Sequence, residues 1–147
     1  MKEENTVYLN CVYQNIRTAV QSIEDIVSKV DDGELKKELA MQQDTYYALQ
    51  KECEVYAKSQ KLDIKDNNFM EKARLWSSIN MSTMMDKSAR HIAELMLIGT
   101  FMGVLTCYKD QNDHGGENKE VDELLERLKE IERKNIERLM PFLKEQP

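Results

Sequence analysis

Backbone breakers are almost missing from this chain: five Gly and two Pro occur in 147 residues. Sandwiches and barrels need a turn signal every 8–12 residues, so that scarcity excludes an all-β fold and leaves long helices joined by few connections. The apolar spacing agrees. Tyr8, Val12, Ile16, Ala19, Ile23, Ile26 and Val30 recur at steps of three and four, one face of a helix over about 6–30. Asp31-Asp32-Gly33 closes it, and Asp31 followed by Glu34 has the spacing of an acidic cap. So short a connection predicts a second helix running antiparallel beside the first.

That helix covers about 34–60, with Leu35, Leu39, Gln42, Tyr46, Leu49, Cys53 and Tyr56 along its inner stripe. After a polar connection, Asn68-x-x-Glu71 repeats the capping pattern, and a third helix is expected over 69–86, with Met81, Met84 and Met85 widening its apolar face. A division is placed at Ser88, a good N-cap, because an unbroken helix over 69–110 would overshoot its neighbours. Further helices are expected over about 89–108 and 119–140, the second ending near Pro141, with Asp110 to Asn118 between them as loop. Glu123–Arg127 and Glu130–Lys134 have the spacing of i,i+4 ion pairs on the last helix. The expected fold is one all-α domain over 1–147, an antiparallel up-and-down bundle of four to five helices.

Composition narrows the partners. A net charge of −6 opposes nucleic acid and anionic membranes, both of which require a basic surface. The opening residues carry Glu3 and Glu4 and lead into no apolar run, so no secretory signal is read. Cys11, Cys53 and Cys107 are odd in number and far apart, which suits reduced thiols in a cytoplasm; each is read as a small buried hydrophobe.

From Leu95 to Cys107 run thirteen residues without a charge. The run is short for a bilayer, which needs about 20 apolar residues, so it is read as a helix buried around most of its circumference. A lone four-helix bundle buries one stripe per helix. A fifth helix or a second subunit must therefore cover the rest, and Leu95, Gly99, Met102 and Gly103 are the candidate residues of a homodimer or protein-partner interface.

Chemistry is harder to find. A di-metal bundle needs Glu-x-x-His pairs, yet His91 and His114, the two histidines, follow Ser88 and Gln111 at that spacing. The residues nearest to a metal set are Glu52, His91 and Glu94; no cofactor is expected. Asn15, Gln42, Tyr46 and Asn135 fall on or beside apolar stripes and, if buried, must be hydrogen-bonded, as register-fixing groups or as the lining of a small polar pocket. No nucleophile has a base beside it, and no phosphate loop is present.

Two stretches carry a resemblance. Glu34-Leu35-Lys36-Lys37-Glu38-Leu39, followed by Gln42-Gln43 and Tyr46 through Glu52, resembles the second helix of ferritin-like bacterial bundle proteins. Asp86-Lys87-Ser88, with His91-Ile92-Ala93-Glu94, Gly99 and Gly103, resembles a segment of small proteins of Gram-positive bacteria. The resemblance implies a ferritin-like four-helix core without iron oxidation, since the iron-holding motif is absent. The function expected is non-enzymatic, through self-association or protein–protein contact; the alternative is a degenerate ferritin-like protein holding one metal ion or small ligand inside the bundle.

Overall fold

The computed structural model describes residues 2–65 and 86–144. Among them are four α-helices and no strand: α1 (Lys2–Val27), α2 (Gly33–Gln60), α3 (Ala89–His114) and α4 (Lys119–Leu139), followed by a 3-10 turn (Met140–Leu143). The helix expected over 69–86, its Asn68 cap and the Met81, Met84 and Met85 cluster lie outside the described residues.

Each helix end has a local cause. Asp32, not Asp31, caps α2: its carboxylate accepts the Leu35 N–H at 2.9 Å. Ser88 caps α3 by accepting from His91 N at 3.2 Å, so the division placed there is a helix start. Asn118 caps α4 through Val121 N. The segment read as loop from Asp110 is instead the last turn of α3, which stops only at Gly115. Polar side chains at Asp110 to His114 solvate a helix without breaking it; the break needs Gly115 and Gly116, the latter at φ +98°. Pro141 behaves as expected, since α4 ends at Leu139 and tightens into the 3-10 turn.

The core gathers one stripe from every helix: Leu9, Val12, Ile16 and Ile23 of α1, Leu35, Leu39 and Leu49 of α2, Ile92 of α3, Leu125, Leu128 and Leu139 of α4. α1 packs on both α2 and α3, and α4 on both α3 and α2. Polar contacts tie the helices at their ends. The Tyr8 hydroxyl donates to Asp122 at 2.5 Å and its ring stacks on His114. Tyr56 and Asn118 face each other, and Arg138 reaches Glu38 at 3.2 Å. Arg127 does not pair with Glu123 but grips both oxygens of Glu52 on α2, at 2.6 and 2.5 Å.

Two expectations about α3 change. Its uncharged run is not buried around most of its circumference: Ile98, Phe101, Met102 and Leu105 are 50–61% exposed. Its full length of 26 residues also makes it long and apolar enough to cross a membrane by length and composition, although a core helix of a bundle passes the same test.

Candidate functional site

A cavity of about 490 Å³ opens between α1 and α3, and its floor is formed by α2 and α4. Small residues make the space. Ala19 and Ser22 of α1 face Gly99, Thr100 and Gly103 of α3, so the two helices leave a gap where larger side chains would interdigitate. Ile23, Met96 and Met102 supply apolar wall, and Gln42, Tyr46 and Glu132 supply the polar floor. The volume falls within the 300–1,000 Å³ common for small-molecule sites between helices.

Glu132 dominates the floor. It is 2% exposed, on the same stripe of α4 as Leu125, Leu128 and Leu139. The Cys107 thiol lies 3.4 Å from its Oε1, and the Tyr46 hydroxyl also donates to it. Burial pushes this carboxyl up to about 8, against those two hydrogen bonds, which pull it down. At neutral pH it is therefore mostly a neutral acid. Burial likewise raises Tyr46 and Cys107, each reinforced by its neighbour Glu132. Asn135, one turn on, lies beside the Tyr46 hydroxyl, but its Nδ2 completes no hydrogen bond of normal geometry.

Gly103 is part of the same device. A Cβ at this position would overlap the Glu132 carboxyl, so glycine is what lets α3 sit over that side chain. The Gly103 carbonyl then accepts from Asn15 Nδ2 at 3.0 Å, and the same amide reaches Cys107 Sγ at 3.4 Å. One polar chain thus runs from α1 through α3 to α4 and α2.

The hydroxyls of the wall share one habit. Thr18, Ser22, Thr100 and Thr106 each donate to the carbonyl one turn back, at 2.7–2.9 Å. Gln42 Nε2 donates to Glu38 at 3.0 Å. The hydroxyl donors are thereby turned to the protein, and their lone pairs are left for the cavity.

Asn15, Gln42 and Tyr46, singled out as polar groups on apolar stripes, all line this cavity, and Asn135 abuts it through Tyr46. Of the interface candidates, Leu95 is buried in the core of its own chain and Gly103 is packed on Glu132, whereas Gly99 lines the cavity and Met102 is 57% exposed. The metal candidates are not brought together. Glu52 is held by Arg127, and Tyr56, one turn further along α2, reaches Asn118 beyond the end of α3 opposite to His91 and Glu94. Among the described residues no three His, Cys, Asp or Glu side chains are grouped to hold a metal ion. Cys53 and Cys107 are buried as expected, but Cys11 is only partly so and lines the cavity.

Sequence reasoning passed over Glu132, Thr100 and Asp110. The signal for Glu132 was present: Val121, Leu125, Leu128, Glu132, Asn135 and Leu139 follow one another at steps of four and three. Comparison with family models, with curated proteins and with solved structures finds no match for this chain.

Proposed function

We propose that this protein is a non-enzymatic binding protein that takes a small, largely apolar molecule into the cavity between α1 and α3. The observation that carries this reading is the cavity itself, with Glu132 and Tyr46 buried on its floor. A bundle selected only for stability would fill that gap, because unfilled core volume costs about 24 cal/mol per Å³. Within the same reading the helices form a ferritin-like antiparallel bundle. Tyr8 near the start of α1 meets His114 at the end of α3 and Asp122 at the start of α4, and Arg138 at the end of α4 meets Glu38 at the start of α2. Those contacts support α2 and α3 running in one direction, as the middle two helices of ferritin-like folds do. A cytoplasmic location suits its reduced thiols.

A neutral, environment-sensitive dye tests the reading. Nile red should bind with one-to-one stoichiometry and brighten, and Ala19→Phe, which fills the cavity from α1, should abolish the signal without lowering Tm. Unchanged dye binding in Ala19→Phe would place the dye elsewhere and end the proposal.

A second reading, self-association, is favoured by the uncharged outward face of α3. Ile98, Phe101, Met102 and Leu105 form a continuous stripe that a second copy could match about a two-fold axis. Sedimentation equilibrium of the parent chain against Phe101→Ser/Leu105→Ser separates the two: a dimer that becomes a monomer supports it, and a monomeric parent at micromolar concentration removes it.

A further inference from the structure

The cavity has a chemical bias that its size does not dictate. Among the described residues its lining contains two carboxyl residues, Glu132 on the floor and Asp110 of α3, and no Lys, Arg or His. The hydroxyl hydrogens of Thr18, Ser22, Thr100 and Thr106 are engaged by their own helices, as is the Gln42 amide with Glu38 and the Asn15 amide with Gly103 and Cys107. The wall is therefore rich in acceptors, and the donors it keeps are uncharged: the Gln14 amide, the second N–H of Gln42 and the hydrogen of the neutral Glu132 carboxyl. An anion entering it would find no cationic side chain among the described residues and two carboxyl residues; a group that carries hydrogens and positive charge would find oxygens on several sides.

We infer that the molecule taken up is an organic cation, an alkyl- or arylalkylammonium whose nitrogen seats against Glu132 while its apolar body lies along Ile23, Met96 and Met102. This rests on the small-molecule reading above. Binding moves one proton: the neutral Glu132 carboxyl loses its hydrogen to solvent, and the resulting carboxylate pairs with the incoming ammonium, so no bond in the ligand changes. The charged and titratable groups around Glu132 allow this. From α2 it meets Tyr46 and from α3 Cys107 and, further out, Asp110. α1 contributes Cys11 and the uncharged Asn15 to the cavity. On α4 the Lys129 amine turns away to Gln111 at 2.8 Å and Glu126 at 2.9 Å. None of these supplies Glu132 with a cation, which leaves that place to the ligand. With Glu132 titrating at about 8, affinity should rise about tenfold from pH 6 to pH 7 and level off above about 8.

Three matched probes decide it: tryptamine, its alcohol analogue tryptophol and indole-3-acetate, titrated by calorimetry at pH 6, 7 and 8 in buffers of different ionisation enthalpy. Tryptamine should bind about tenfold or more tighter than tryptophol at pH 7, with close to one proton released and the stated pH dependence, and indole-3-acetate should bind weakest. In Glu132→Gln the proton release and the preference for the amine should both vanish. Tryptophol or indole-3-acetate binding as tightly as tryptamine, or tryptamine binding without proton release, overturns the cation while leaving the cavity reading intact. If none of the three binds at millimolar concentration although Nile red occupies the cavity, the cation is again overturned. If Nile red also fails, the cavity reading falls with it.

Discussion

Glu132→Gln should make this protein more stable, and by an amount that grows with pH. In the unfolded chain the Glu132 carboxyl ionises near 4.5, whereas in the folded protein burial holds it to about 8. Below about 4.5 both states carry the proton and the group contributes no pH dependence. Between the two values the unfolded chain gains charge solvation that the folded state is denied, so stability falls as pH rises, by about 1.4 kcal/mol per unit. Above about 8 the folded state ionises too and the loss stops. Glutamine keeps the shape and a carbonyl for Tyr46 and Cys107 to approach, but has nothing to ionise. Urea unfolding of the two proteins at pH 4.5, 6, 7 and 8 should therefore give a difference that opens from near zero to about 3–5 kcal/mol in favour of the variant. Parallel curves across that range would mean that Glu132 is solvated and not buried as described.

Gly103→Ala should destabilise the parent chain yet stabilise it once Glu132 is gone. In an exposed helix interior alanine is better than glycine by about 1 kcal/mol. Here the added Cβ meets the Glu132 carboxyl, whose Cδ would be 3.0 Å away. A glutamate end is flexible in principle, but this one is held by Cys107 and Tyr46, and turning it aside gives up both contacts. Overlap of this kind costs about 1–3 kcal/mol. In Glu132→Ala the obstacle is absent and the helical preference returns. A double-mutant cycle should thus yield a coupling of about 2–3 kcal/mol, with the effect of Gly103→Ala changing sign between backgrounds. Additivity within about 0.5 kcal/mol would separate the two residues physically.

These two predictions concern residues whose roles the sequence made unequally plain. The inner stripes of α1 and α2 were readable because apolar spacing and burial coincide there, from Tyr8 to Ile26 and from Leu35 to Cys53. Ser88 was readable as a helix start because its side chain performs a local task that needs no tertiary partner. The end of α3 was not, since a run of polar residues at 110–114 looks the same in a solvated turn of helix and in a loop. Asn15, Gln42 and Tyr46 could be picked out as polar groups on apolar stripes, but which of them share a space depends on how α1, α2 and α3 are stacked. Glu132 was hidden among the many acids of α4. Its place on the Val121–Leu139 stripe hinted at burial, and its nearness to Gly103, Cys107 and Tyr46, all on other helices, shows it.

The exposed face of α3 was foreseen as too apolar, but with the wrong geometry. Gly103 is not a bare surface offered to a second chain; it is the seat of Glu132. The residues left outward are the larger ones, Ile98, Phe101, Met102 and Leu105. Met102 belongs to both the outer stripe and the cavity wall, so a molecule entering the cavity and a copy docking on α3 would meet at that side chain.

The cation and the pH-dependent gain in stability both depend on a carboxyl kept neutral on the floor of a solvent-reachable cavity. A carbon-13 NMR titration of the Glu132 side-chain carboxyl, assigned by its disappearance in Glu132→Gln, observes that group directly. The expected midpoint is about 8 in the free protein, moving down when tryptamine is added. A midpoint near 4.5, unmoved by the amine, would contradict it.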